Sequence, residues 1–406
     1  MAPLRPLRTL PKRATGNFRS RVLRKACNSL SSDTAQFCTL LSSWAVSTTR
    51  QISRVEQVEL CRRITAWVTL EDDFDSLREA AHEFVASLRV ELLDFGELRA
   101  IARLLGTVGA FTPSQILVEK AARSSVARQP TDERQAREFL QAAIYLGEFD
   151  RDLLTRTLHL IKSKEERRIF SFYSSLIDGE KSRPLGAVFY GPGPVSDQQT
   201  ASFQECPIAR VLMPGVTDWT NDSDKAEGRT EFVYANGQTV EWLSTLEPST
   251  LTEILNPNVH LKVKPNQNWS PARPNTSTFL DVRALYFSGN PNMGPNAILD
   301  LLASFSGTHV YVLGNNFYQS DVGYRPDSRR NFLSQGGGSD KFGSTGRSFE
   351  RCASMASHDQ PSNRAILANL LKHGWLSGDD LFLTSMTKAT PDFTGHLETH
   401  YGVQRR

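Results

Sequence analysis

What the chain has little of narrows its class before any motif does. It holds five cysteines in 406 residues (Cys27, Cys38, Cys61, Cys206 and Cys352). None stand at a metal-ligand spacing, and their density is far below that of a disulfide scaffold. A reducing, cytoplasmic setting is the simplest expectation. The chain has no run of eighteen apolar residues, so no membrane-spanning helix is expected. The first residues lack the apolar core of a secretory signal. Net charge is only +3, which gives no reason to expect a nucleic-acid partner. Hydrophobic residues make up 39% and charged residues 22%, a globular balance that excludes general disorder.

One local absence stands out: no acidic residue precedes Asp33, while Arg5, Arg8, Lys12, Arg13, Arg19, Arg21, Arg24 and Lys25 do. Residues 1–50 therefore read as a basic, partly disordered tail. Residues 1–25 suit an anionic membrane surface, worth at most about 1 kcal/mol per basic residue. An Arg- and Ser-rich transit segment is the other functional reading. Residues 51–180 show apolar positions recurring at three- and four-residue steps, as in VELCRRITAWV, AREFLQAAIYL and LLTRTLHLI, and predict an all-α domain of helical hairpins. Phe74, Phe111 and Phe149 each fall in a short turn, 37 and 38 residues apart, which hints at a repeat. Thr112 and Asp150 are placed to cap the helices that follow.

Residues 181–406 change character. Short β-branched or aromatic runs (GAVFY, IARVLM, EFVYA, VHLKVK, VRALYF and THVYVL) alternate with helical stretches such as VEWLSTL, LTEIL, NAILDLLASF and ILANLLKHG. That order predicts an α/β fold, a Rossmann-like doubly wound parallel sheet. Gly191-Pro192-Gly193-Pro194 follows the first strand, and exposed amides in such a loop suit a phosphate. Pro295 stands in the first turn of a predicted helix after Met293-Gly294, a second turn able to present free amides. Asp222 and Asp224 form an Asp-x-Asp in a polar loop, read as solvated rather than as a metal site.

Beyond the run His309–Leu313 stand Tyr318 and Tyr324, six residues apart, and then a glycine-bearing stretch and His358 before a helix. Two phenol hydroxyls donate hydrogen bonds to a departing phosphate without adding formal charge. A histidine has the right ordinary pKa to take a proton from an attacking hydroxyl near neutrality. The residues between, with Gly336-Gly337-Gly338, read as a lid that excludes water.

These residues resemble the bacterial CMP-sialic-acid-dependent sialyltransferases that cap lipooligosaccharides. The likeness spans residues 185–385 and rests on Gly314-Asn315-Asn316-Phe317-Tyr318-Gln319, on Tyr324, and on His358 before Ile366, Leu367, Leu370 and Leu371. The family carries aspartate where Asn316 stands and asparagine where Pro192 stands; its Tyr-Asn-Pro-Gly turn is similar to Tyr234-Ala235-Asn236-Gly237. The resemblance implies a glycosyltransferase fold, with Tyr318 and Tyr324 on the donor phosphate and His358 as general base. It further implies that Gly191, Gly193, Pro194, Asn236, Gly294, Asn316 and Gln319 bind substrate. The expected reaction moves an acidic sugar from a CMP-sugar donor to a glycan or glycolipid hydroxyl, inverting, with no metal or other cofactor. Two alternatives remain at the sequence level: a non-catalytic helical-repeat adaptor, and an Mg²⁺-dependent diphosphokinase in which Asp222 and Asp224 would matter.

Overall fold

The computed structural model describes residues 109–178, 182–191, 205–212, 230–255, 258–265, 275–287, 289–315 and 358–401, with positions 203 and 317 and scattered positions between 82 and 106. Seven strands form one sheet: β1 (Leu185–Tyr190), β2 (Ile208–Val211), β3 (Thr230–Ala235), β4 (His260–Val263), β5 (Thr276–Thr278), β6 (His309–Leu313) and β7 (Leu376–Gly378). Every pairing is parallel, in the order β5-β4-β3-β2-β1-β6-β7. The chain starts in the middle, works outward to one edge, and returns beside β1 to build the other half. The parallel α/β expectation therefore holds. Ala187, Val188, Phe189 and Tyr190 are all buried, as a central strand covered on both faces requires.

Ten helices are described: α1 (Phe111–Val126), α2 (Glu133–Leu146), α3 (Arg151–Leu158), α4 (Lys164–Ile177), α5 (Gly237–Leu243), α6 (Pro248–Ile254), α7 (Met293–Ser304), α8 (Gln360–Lys372), α9 (Asp380–Thr387) and α10 (Thr390–Tyr401). Their starts follow capping chemistry. Asp132, Asp150, Ser163 and Asp379 each accept an amide of the first turn with a side-chain oxygen. Gly147 ends α2 at φ +72°, in the left-handed region where a Cβ is strained. The apolar sides of α5 and α6 close over Leu212, Val233, Ala235, Leu261 and Val263.

The chain divides into two compact units. One comprises residues 129–341 with 358–389 and holds the whole sheet; the other comprises 1–128, 342–357 and 390–406. Helices α2–α4, which the sequence assigns to a separate helical domain ending at residue 180, belong to the unit of the sheet. Their apolar faces are buried within it. Tyr145 of α2 stacks on Phe287 with ring centroids 5.9 Å apart, and Gln141 donates to the Ala284 carbonyl at 2.8 Å. Asn369 of α8 donates to the Ile144 carbonyl at 3.2 Å, and the Trp375 indole donates to the Leu176 carbonyl. Periodicity shows that a helix has a buried face, but not what covers it. In the other unit, α1 starts at Ala110 without a side-chain cap of its own, and Thr112 does not serve as one. Glu398 of α10 instead accepts the Thr112 amide at 2.7 Å.

Two further differences concern strands. VRALYF is not a strand. Arg283–Leu285 form a 3₁₀ turn, because Asp281 accepts the Arg283 amide at 3.1 Å and pairs with its guanidinium. Strands β5 and β7, three residues each, carry too short a pattern to be read in advance. Among the described residues, no helix is long and apolar enough to cross a membrane. The tail 1–50, Phe74, Asp222 and Asp224 lie outside the described residues.

Candidate functional site

The strand order reverses between β1 and β6, and the carboxyl ends of those two strands define the switch point of the sheet. In open parallel sheets this is where a crevice forms, because the connections leave on opposite faces. Tyr190 pairs with Leu313, so the residues directly after them, Gly191 and Gly314, emerge side by side. The Gly191 amide donates to the Leu313 carbonyl at 2.7 Å. A Cβ on Gly191 would lie 2.5 Å from the Gly314 oxygen and 2.8 Å from Cβ of Asn315. No side chain fits there, so this loop must begin with glycine.

Gly314 turns the chain at φ +64°. Its amide donates to Oδ2 of Asp379 at 2.7 Å, and Oδ1 of the same carboxylate accepts the Phe382 amide at 2.9 Å. Asp379 is 5% exposed, so one buried carboxylate both caps α9 and fixes the turn after β6. Oδ1 of Asn315 accepts the Phe317 amide at 3.3 Å, and Phe317 sits at φ +49°, a costly conformation for a bulky residue. The backbone is thus bent sharply just before the first tyrosine of the predicted pair. Tyr318, Tyr324, Asn316, Gln319, Gly193 and Pro194 lie outside the described residues.

Helix α7 points its amino terminus at the same place. Asn292 caps it through the Met293 amide at 2.8 Å. A Cβ on Gly294 would lie 3.6 Å from Nδ2 of Asn315 and 3.6 Å from the Phe189 ring, ordinary contact distances. Gly294 therefore stands beside the ends of β1 and β6, in the first turn of a helix whose cap, Asn292, is neutral.

His358 immediately precedes Asp359, the cap of α8. Asp359 adopts φ +44°; its Oδ1 accepts the Ser362 amide at 3.1 Å and its Oδ2 accepts the Gly289 amide at 2.9 Å. Asn363 completes the tie. Its Nδ2 donates to the carbonyls of His358 and Asp359, and its Oδ1 accepts the Asn292 amide at 3.1 Å. These bonds join the start of α8 to the start of α7, and so bring His358 to the turn that contains Gly294. Burial first, then the nearby Asp359 carboxylate, pushes the Tyr286 phenol well above its ordinary pKa.

Asn236 is placed differently. It caps α5, its Oδ1 accepting the Thr239 amide at 2.9 Å and the Thr239 hydroxyl at 3.0 Å. It follows β3, two strands from β1, roughly 10 Å along the sheet edge. The fold brings Gly191, Gly294 and His358 to one locality and leaves Asn236 at its flank.

Sequence reasoning passed over Asp359, Asn363 and Asp379, which set the local geometry. A signal for Asp379 was present: Gly-Asp-Asp before Leu-Phe-Leu is an N-cap pattern. Asn363 had none, since its bonds join segments 71 residues apart. Among the described residues, no group of three or more His, Cys, Asp or Glu is arranged to hold a metal ion. Comparison with family models, with curated proteins and with solved structures finds no match for this chain.

Proposed function

We propose that the chain is a glycosyltransferase that moves an acidic sugar from a CMP-linked donor to a glycan hydroxyl. One observation carries the reading. Gly191, Gly294 and the His358–Asp359 junction, far apart in sequence, converge where β1 and β6 part at the carboxyl edge of a parallel sheet. That edge is where such sheets bind nucleotides. The start of α7 is suited to the donor phosphate, since its amides and dipole favour an anion. His358 takes the proton from the acceptor hydroxyl as that oxygen attacks the anomeric carbon from the face opposite the leaving group. The anomeric C–O bond breaks with its electron pair on the phosphate, CMP departs, and the configuration inverts. Tyr318 and Tyr324 donate to the departing phosphate, which spreads the growing charge without a metal. The resemblance to sialyltransferases supports sialic acid or a similar acidic sugar as the group transferred. The basic residues 1–25 suit attachment at a membrane that carries a glycolipid acceptor.

The test is a thermal-shift titration of the full chain with CMP, UMP, GDP and ATP, each with and without Mg²⁺. A CMP-selective rise that needs no Mg²⁺ and weakens in Tyr318→Phe/Tyr324→Phe supports the transferase. A Mg²⁺-dependent response to ATP would favour a diphosphokinase instead, and no response to any nucleotide would favour a binding role without catalysis.

A further inference from the structure

The transferase reading leaves open what holds the acceptor, and two buried carboxamides bear on that question. Gln360, the first residue of α8, is 5% exposed, and among the described residues neither its Oε1 nor its Nε2 has a hydrogen-bond partner. Asn296, in the first turn of α7, is 6% exposed, and among the described residues its Oδ1 has none either. Buried polar atoms without partners are rare in folded proteins, because each has lost its water and gained nothing in return.

Their placement is specific. Side chains in the first turn of a helix lean toward its amino terminus, here toward the carboxyl edge of the sheet. Gln360 and Asn363 are three apart and share a face of α8, and Asn363 reaches the Asn292 amide at the start of α7. Asn292, the cap of α7, stands four residues before Asn296. The two orphaned carboxamides thus stand in the first turns of two helices whose starts a hydrogen bond ties together, the Asn292 amide donating to Oδ1 of Asn363, yet they do not bond each other. Gln360 is also two residues from His358.

We infer that Gln360, with Asn296, holds adjacent hydroxyls of a neutral sugar, the acceptor of the proposed transfer. A carboxamide offers a donor and an acceptor side by side, the pattern a pair of neighbouring hydroxyls satisfies. The Asp359 carboxylate caps this helix start and opposes an anion there, so the acidic donor sugar is the poorer match. The position next to His358 is where a hydroxyl that must lose its proton has to be held. The inference rests on the transferase reading for the word acceptor, but the binding site it names can be tested separately.

The experiment uses saturation-transfer NMR on the full chain with methyl galactoside, methyl glucoside and methyl N-acetylglucosaminide, run beside the CMP titration. It compares wild type with Gln360→Met, which keeps the length of the side chain, and with Asn296→Ala. The expected result is binding of at least one glycoside, weakened about tenfold or more in Gln360→Met, because a site built to bond hydroxyls loses much when a partner is removed. The CMP response and the melting temperature stay unchanged in that variant. Equal glycoside binding by wild type and both variants, or no glycoside binding at all, overturns the inference. So does a melting temperature lowered by several degrees in Gln360→Met, which would make Gln360 part of the frame. Glycoside binding that depends on Gln360 without any CMP response would sink the transferase reading and leave the sugar site standing.

Discussion

Asp379 and Gly191 matter in opposite ways, one for what its side chain reaches and one for having none. The Asp379 carboxylate accepts two buried amides, so Asp379→Ala strands both. The expected loss is about 2–3 kcal/mol, read as a shift in the urea midpoint, with Asp379→Asn milder because it keeps one acceptor oxygen. Gly191→Ala drives a methyl into the Gly314 carbonyl and should cost about 1–3 kcal/mol. Gly294→Ala meets only ordinary contacts and is expected to leave stability unchanged within about 0.5 kcal/mol. If the donor phosphate sits at the start of α7, that same variant weakens the CMP thermal shift, whereas an unaltered shift would place the phosphate elsewhere. The glycines were legible as turns in the sequence. Which of them excludes a side chain was not, because Gly314 and Asn315 lie more than a hundred residues further along the chain.

Between elements, a charge pair with a buried carboxylate ties α7 to the sheet. Asp300 of α7 pairs with Lys262 of β4 at 3.3 Å, accepts the Tyr234 hydroxyl at 2.8 Å and accepts the Leu280 amide at 2.8 Å. Asp300→Asn keeps the shape but leaves the partly buried Lys262 without its counter-charge, and the expected cost is about 2–3 kcal/mol by chemical denaturation. The neighbouring His260 responds to pH. Burial first and Lys262 second hold its imidazole below the ordinary histidine value, against the pull of Asp300. A lowered folded-state pKa means that the unfolded chain binds the proton more readily. This contribution is therefore present above about pH 6.5, the ordinary value, and is lost as pH falls through the lowered one. Melting curves of wild type and His260→Gln at pH 7.5 and pH 5 should show the smaller acid destabilisation in the variant. Equal losses would remove His260 from the account. Alternating and continuous apolar runs announced β1–β4 and β6, but the Lys262–Asp300 bridge had no sequence signal, since both residues look like ordinary surface charges until α7 lies across the sheet.

At the scale of the molecule, the unit that holds the sheet begins at Gln129. A chain starting at residue 181 loses α2–α4 and bares Phe287 and the Leu370–Trp375 segment, which those helices cover. Such a fragment is expected to be insoluble or to lack a cooperative melt, while a chain starting at residue 129 keeps the helices that cover this surface. A sharp unfolding transition in the shorter fragment would contradict that packing. Composition, hydrophobic period and turn chemistry by themselves determined the α/β class, most of the strands, the helix cap at Asp150, and the turns at Gly191, Gly294 and Gly314. Those features are local, set by a few neighbouring residues and their dihedral preferences. Only the tertiary structure decided that the chain reverses beside β1, that Asn363 bridges two helix starts, and that α2–α4 belong with the sheet. Each depends on contacts between residues distant in sequence, and an amphipathic pattern records that a face is buried without recording its partner.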